Sequence, residues 1–461
     1  MNKKQIIPFI LLISVSFLFK SCGIYSSYSR PDIEKQTDRL YRDLQTNEDT
    51  LSLGDLDWRS LFTDPALHYL IERGLENNTD MRSAYLRVNQ AEAALLTARL
   101  SFLPSFNFAL DGAVSRFNNS NSHTYTLPVV ASWEVDIFGR IRNAKQRIKA
   151  AYEQSQEYQQ AVQTQLIASI ANTYYTLLML DSQLEISEET ARSWKENVST
   201  MQALMDAGMA NDAAVSQTQA NYYAIEASLF DLKRQIYEVE NSLSLLLGES
   251  PYLIQRSRLK DVILPEELST GIPVQLLANR PDVKSAEYAL QQAFYTTAEA
   301  KSAFYPSLVL NGTAGWTNNA GAFIVNPGKL LLSAVGSLTQ PIFNKGALRA
   351  NLKISKAQQE EATLAFKQTI LNAGTEVINA LKQVETARSK TTFRTRQIQS
   401  LASAVESTEL LMSHGSSTYL EVLTAQQALL TAQLTRVADR FEEVQGVINL
   451  YHALGGGRDH E

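Results

Sequence analysis

The residues of this chain that could carry chemistry are few and badly spaced for it. Its five histidines, His68, His123, His414, His452 and His460, lie far apart, and no HxxxH, CxxC or GxxxxGK spacing occurs anywhere. Neither a zinc site, nor a phosphate-cradling loop, nor an acid–base pair can be assembled from such a pattern. No catalytic residue, metal site or cofactor is therefore expected. The methionines offer one further route. Met201, Met205, Met209 and Met412 carry thioethers that suit soft ions such as Cu(I) or Ag(I). The same pliable side chains serve equally well as packing at a docking surface. A net charge of −6 over 461 residues, with Lys and Arg scattered rather than clustered, speaks against a nucleic-acid partner.

The one cysteine is more informative. Residues 1–21 begin with Lys3 and Lys4 and continue in an apolar stretch from Ile6 to Phe19 that is too short to span a bilayer, the pattern of a secretory signal. The stretch closes as FLFKSCG, and Cys22 is the only cysteine. The run resembles a bacterial lipoprotein signal, in which cleavage leaves the cysteine first and its thiol carries diacylglycerol. The alternative is a buried structural cysteine inside an uncleaved leader.

The elements that must position everything else are written twice. Asp80 and Asp282 are 202 residues apart, as are Pro104 and Pro306 in FLPSF and FYPSL; Arg142 and Arg349, Gly208 and Gly415, and Leu247-Gly248 and Leu454-Gly455 are 207 apart. Such a unit of about two hundred residues is far longer than solenoid repeats. The expected division is a leader at 1–21, an anchored segment at 22–60, one repeat at 61–248, a Pro- and Gly-bearing linker at 249–271, a second repeat at 272–455 and a tail at 456–461. Within each repeat a helix is expected first, over 65–101 and 275–303, ending at the corner proline. In the second copy, NRPD reads as a helix start, with Pro281 in the first turn and Asp282 at the positive helix end.

After each proline the apolar period changes to two. Phe106, Phe108, Leu110 and Val114 alternate with Ser105, Asn107, Asp111 and Ser115, and Leu127, Val129, Trp133 and Val135 alternate with Thr126, Ser132, Glu134 and Asp136. Leu308, Leu310 and Trp316 repeat the pattern, while the fourth run, 330–342, is noisier, with Leu331 and Val335 out of phase. These are strands with one apolar face, and alone they fit a soluble sandwich as well as a membrane wall of tilted strands about 9–11 residues long. From Ile141 to Ala207 there is then no proline or glycine, and only Gly374 interrupts the matching run to His414. A helix of that length measures roughly 100 Å, against a radius of gyration of about 23 Å for a compact chain of this size. Its apolar seam is narrow, through Val162, Leu166, Ile170, Tyr174 and Leu177, then Trp194, Val198, Met201 and Met205. Gly208 and Gly415 suit helix C-caps, and a return helix completes a coiled-coil-like hairpin in each repeat. Four strands cannot close a membrane barrel, since bacterial barrels start at about eight, and open edges are not tolerated in lipid. Strands that span a membrane would therefore have to share one barrel among several copies.

The stretches WRSLFTDPAL, WEVDIFGR, LLANRPDVKSAE, QPIFNKGALRA, YLEVLTAQQALLTAQL and LYHALGGG, with the two proline corners, resemble a TolC-type outer-membrane factor of the lipoprotein (NodT-like) branch that serves tripartite efflux systems. The resemblance covers the chain nearly end to end. It implies a mainly α protein with a small β part: a homotrimer with four strands per chain in an outer-membrane β-barrel, continued by a long periplasmic α-helical barrel, and no cofactor. It implies a passive duct for small molecules such as drugs, a periplasmic adaptor (membrane fusion) protein, an inner-membrane transporter and outer-membrane lipids as partners, and lipid anchoring in the bacterial outer membrane. Phe106, Phe108, Leu110, Val129 and Trp133 would face lipid.

The resemblance also implies that the hairpin tips, 205–214 and 412–421, form the periplasmic mouth and the adaptor contact. Gly208, Asp212, Gly415, Ser417 and Glu421, with Met205, Met209 and Met412, fall there. Glu421 stands where relatives place an acidic pore residue; equally, Thr418 and Glu421 spell a T-x-x-E capping box, and Asp212 a solvated helix start. Met412 and Ser417 stand where some relatives carry the aromatic and basic residues that lock the tip, so those closing contacts do not carry over. A heavy-metal (Cu/Ag) efflux duct and a lipid-anchored periplasmic coiled-coil scaffold without a channel are the competing readings. If Cys22 is the lipidated terminus, labelled palmitate will enter the wild-type protein and not Cys22→Ser; equal labelling of both would remove the lipoprotein assignment.

Overall fold

The computed structural model describes residues 27–32, 52–118, 120–265, 268, 279–317 and 329–458. The leader, Cys22 and most of 266–278 lie outside the described residues. The chain divides into two compact units, one of Met1–Asp32, Leu86–Gln156 and Lys284–Gln368, the other of Ile33–Tyr85, Glu157–Val283 and Thr369–Glu461. In chain order the elements are helices α1 (Trp58–Leu61), α2 (Pro65–Asn77) and α3 (Thr79–Leu100); strands β1 (Ser105–Phe108), β2 (Asp111–Phe117) and β3 (Ser120–Val135); helices α4 (Arg140–Asp206), α5 (Asp212–Leu246) and α6 (Pro281–Ser302); strands β4 (Ser307–Thr317) and β5 (Lys329–Thr339); and helices α7 (Ala347–Ser413) and α8 (Tyr419–Ala453). The protein is mainly helical with a small sheet. α4 and α7 are both 67 residues long and α5 and α8 both 35, each 207 residues after its counterpart, while α3 and α6 are both 22 residues long and 202 apart.

The first unit contains the sheet. It is antiparallel, in the order β1-β3-β4-β5, with β2 also on β3. Where four strands are expected there are five segments, because the run 105–116 breaks at Ala109–Leu110. β1 and β2 nevertheless share one register against β3, from Ser105↔Ser132 through Phe108↔Val129 to Asp111↔Thr126. The cause of the break lies across the ladder. Ala109 donates its N–H to the Pro128 carbonyl at 3.1 Å, but proline has no N–H to return. The other long strand covers 120–135 rather than 125–137, and the last covers 329–339 rather than 330–342.

Each corner proline follows a carbonyl that a side chain satisfies. The Trp133 indole N–H donates to Phe102 O at 2.9 Å, and the Gln340 amide donates to Phe304 O at 2.9 Å. Asp136 then caps α4, its carboxylate accepting from the Ile141 and Arg142 backbone N–H groups at 3.1 and 2.8 Å.

The second unit contains the helical hairpins. The helix expected over 65–101 is two helices, because Asn78 turns out of it. Its backbone is extended, and its side-chain oxygen accepts from Asp80 and Met81 N–H while its amide donates to Leu246 O at 2.9 Å. The helix expected from 275 is described from Pro281. The seam on α4 is wider than a coiled-coil stripe: Ile167, Ala171, Tyr175 and Leu178 are buried together with Leu166, Ile170, Tyr174 and Leu177. Gly74 on α2 explains part of this, since a Cβ there would lie 2.3 Å from Ile170 Cδ1. The missing side chain lets α2 press onto α4.

The tightest approach in the sheet is at Gly315, opposite Pro128. A Cβ there would meet Leu127 O at 2.2 Å and Pro128 Cα at 2.6 Å, both backbone atoms that cannot swing away. At Gly312 the nearest atoms are 3.9 Å off. Gly315→Ala should therefore destabilise the sheet by about 1–3 kcal/mol and lower the thermal unfolding midpoint of the purified protein, while Gly312→Ala leaves it nearly unchanged. Equal midpoints for the two variants would remove close packing as the reason for Gly315.

Candidate functional site

Two features stand out as working surfaces. The first is one face of the sheet. Residues directly opposite in antiparallel strands share a face, so the registers align Phe106 with Ala131, Phe108 with Val129, Trp133 with Leu310, Val129 with Ala314 and Val135 with Leu308. The same face continues over β5 through Leu332, Ala334, Gly336 and Leu338. Every one of these residues is apolar, and those on the outer strands are open: Phe106 is 69% exposed, Phe108 68%, Leu332 71% and Leu338 66%, while Ala131, Val135 and Leu308 are half-buried. Val129 and Trp133 are exposed as well, and Leu110 sits in the unchanged register between β1 and β2, also exposed.

The opposite face carries Asn107, Ser132, Glu134, Asn311, Thr313, Ser333 and Ser337, with Val335 among them opposite Asn311. Thus the strand residues predicted to face one apolar medium do lie on one face, and Val335 is out of phase as expected. An exposed apolar face on this scale marks an interaction surface. The outer edges of the sheet, along β1–β2 and β5, pair with no other strand among the described residues.

The second feature is the pair of hairpin tips in the helical unit. At one, Gly208 adopts φ +74°, Met209 N–H reaches Leu204 O at 2.8 Å and Gly208 N–H reaches Met205 O at 2.9 Å. At the other, Gly415 adopts φ +72°, Ser416 N–H reaches Leu411 O at 2.9 Å and Gly415 N–H reaches Met412 O at 3.0 Å. Both are C-caps of the Schellman type. No heavy atom lies within 4 Å of a Cβ added at either glycine, so backbone conformation alone demands glycine there.

The return helices start differently. Asn211 caps α5 by accepting from Ala214 N–H at 2.9 Å, with Asp212 exposed in the first turn. The capping box read in Thr418 and Glu421 does not form, since Thr418 makes no side-chain cap. Instead the Ser417 hydroxyl donates to the Glu421 carboxylate. The four methionines are not one set: Met201 is buried in the packed stripe, Met205 and Met412 are half-buried, and Met209 is 76% exposed. Leu410, Leu411 and Leu420 add exposed apolar surface at the second tip, which sequence reading passed over.

Sequence reading also missed the role of NRPD. Arg280 is 4% exposed and binds Asp282 and Glu376 at 2.7 Å each, while donating to Ala453 O at 2.9 Å at the end of α8. Burial alone would raise the Asp282 carboxyl, but the hydrogen bond and charge of Arg280 outweigh it and hold the group below the usual carboxylate range. Burial, and then the Arg280 charge, hold His452 below the ordinary histidine value. These residues line a cavity of about 640 Å³ with Asn78, Tyr158 and Gln165. A proline in a first turn accounts for the motif locally; the arginine's task lay 173 residues away in sequence.

The outer membrane efflux protein family matches residues 70–249 and 272–456. The chain is 27% identical over 463 residues to the cation efflux system protein CusC of Escherichia coli, covering 99% of each chain. It is 28% identical over 460 residues to the toluene efflux pump outer membrane protein TtgC of Pseudomonas putida, covering 96% of this chain and 94% of that one. A crystal structure of CusC superposes with a TM-score of 0.84 at 26% identity, over 94% of this chain and all of that one. The matched stretches take in most of the chain, its sheet and both helical hairpins, and the chain belongs to the outer membrane efflux protein family.

Proposed function

We propose that this chain is the outer-membrane duct of a tripartite efflux pump, working as a homotrimer with a periplasmic adaptor and an inner-membrane transporter. The observation that carries the reading is the sheet, whose face from Phe106 through Val129 and Leu310 to Leu338 is apolar and whose outer edges pair with no other strand among the described residues. An apolar face of that kind needs lipid, and lipid does not tolerate open edges. Three copies, each contributing four strand positions, would join edge to edge into a closed twelve-stranded barrel with the polar face lining a wet lumen.

Further support comes from α5, where Tyr223, Phe230 and Tyr237 recur at intervals of seven and are 64%, 74% and 64% exposed. A neighbouring copy would cover such a stripe in a helical barrel. The duplication of 61–248 in 272–455 finds support in paired contacts. Gly248 and Gly455 both have positive φ, and a Cβ on either would lie 2.6 Å from the carbonyl oxygen of Asn77 or of Asn279; Asn78 and Arg280 donate to Leu246 O and Ala453 O.

The N-terminal segment 22–60 would be tethered through acylated Cys22, with 249–271 linking the repeats. A coiled-coil scaffold without a channel leaves the apolar face unexplained. As for cargo, a passive duct selects little, and small molecules such as drugs fit it.

Two experiments test this. Leu110→Arg should cost roughly 2–4 kcal/mol near a membrane midplane and sharply reduce the outer-membrane trimer, whereas Asn107→Arg should be tolerated; an equal loss in both would reverse the facing assignment. At the tips, the pair Asp212→Cys and Ser417→Cys should form a disulfide between neighbouring hairpins in the oxidising periplasm. The bond requires Cα atoms within about 7 Å, so it would report a closed mouth. Crosslinked trimer should lose drug efflux and single-channel conductance, and a reductant should restore both. Full efflux through verified crosslinked trimer would mean that these tips are not the moving entrance.

A further inference from the structure

A second cavity of about 640 Å³ lies in the helical unit, lined by Leu178, Asp181, Glu185 and Ile186 of α4, by 256–260, by Thr391 of α7 and by Arg436, Val437 and Arg440 of α8. Its charge balance is uneven. Five cationic side chains line it, Arg256, Arg258, Lys260, Arg436 and Arg440, against two carboxylates. Arg256 is fully occupied. It grips Asp181 through two hydrogen bonds, at 2.5 and 2.9 Å, meets Glu240 at 2.5 Å and donates to Ile254 O. Asp181 is thereby neutralised. Arg440 is likewise spoken for, at 2.6 Å from Glu443 and 2.7 Å from Val262 O.

Arg258, Lys260 and Arg436 are left. No carboxylate lies within ion-pair distance of any of them among the described residues, and Glu185 is the one remaining acid in the wall, itself without an ion pair. Three exposed cations without an ion pair therefore border one concavity whose one remaining carboxylate is exposed as well. Cationic side chains that line a concave surface together raise the local concentration of anions there. The rest of the lining is mixed: Ser182, Ser257 and Thr391 are polar, while Ile186 is half-buried and Leu259 and Val437 are 4% and 8% exposed. The volume falls within the roughly 300–1,000 Å³ of small-molecule sites, which combine an apolar lining with a few polar anchors.

We propose that this cavity is a binding site for a small organic anion, one phosphate- or carboxylate-bearing head held by Arg258, Lys260 and Arg436 and an apolar body against Ile186, Leu259 and Val437. The segment 256–260 supplies two of the three cations, Leu178 and Ile186 stand on α4, and Arg436 stands on α8. An occupant therefore ties that segment to both long hairpins and stabilises their packing. Guanidinium groups suit the head because they offer paired N–H donors to oxyanions. This inference rests on the cavity alone and is independent of what the duct carries.

The test uses the full-length assembled protein in detergent, titrated by calorimetry with 1-naphthyl phosphate. Uncharged 1-naphthol serves as the control for the body and inorganic phosphate as the control for the head. Naphthyl phosphate should bind saturably, more tightly than either control, and more weakly as ionic strength rises. Arg258→Gln and Arg436→Gln should each weaken it about tenfold or more without changing conductance. Binding by naphthol as tight as by its phosphate, or wild-type affinity in both variants, would overturn the proposal. Accessibility is checked separately with Arg258→Cys in the assembled protein. Modification by a small charged thiol reagent, slowed by naphthyl phosphate, is expected. A thiol that stays unreactive in the assembly but reacts after denaturation would mean that a neighbouring copy fills the cavity, and would overturn the proposal as well.

Discussion

An unpaired backbone edge next to an apolar face is the constraint on which the rest of this protein depends. On the face running from Phe106 through Val129 and Leu310 to Leu338, nothing is offered to water. Along β1–β2 and β5 the outward N–H and C=O groups find no strand within the described chain. In water either feature alone is tolerable. In hydrocarbon each unpaired peptide group costs several kcal/mol, so under the proposed function, with this face in lipid, one chain alone could not close its edges. That reading calls for assembly, with the edge strands of different copies joined to one another.

The same obligation to pair backbone groups governs how each element stops. Helices α4 and α7 end on glycines in the left-handed region, whose surroundings would admit a side chain but whose backbone would not. Corner carbonyls at Phe102 and Phe304 are both satisfied, one by an indole and the other by an amide. The last-turn carbonyls Leu246 O and Ala453 O are both satisfied too, by Asn78 and by Arg280. At matching positions the obligation persists while the chemistry that meets it changes. Where an arginine replaces an asparagine, a positive charge is buried, and Asp282 and Glu376 accompany it as counter-charges.

What the sequence by itself determined were the features set by local periodicity and by single-residue backbone limits. The period-two runs after Pro104 and Pro306, the proline-free stretches that became α4 and α7, and the turns at Gly208 and Gly415 were legible because each depends on the residues within it. The resemblance to a known family rested on short motifs of the same local kind. Tertiary structure decided whatever depends on a partner distant in sequence. Pro128 splits the first strand from across the ladder. Asn78 interrupts a run that reads as one helix because Leu246 O needs its amide. The apolar seam of α4 widens because Gly74 on another helix leaves room, and Arg280 is a buried cation that pairs with Glu376 and donates to Ala453 O, 173 residues away. A side chain's propensity is written in its own neighbourhood, but which polar group it must satisfy is known only once the chain has brought that group beside it.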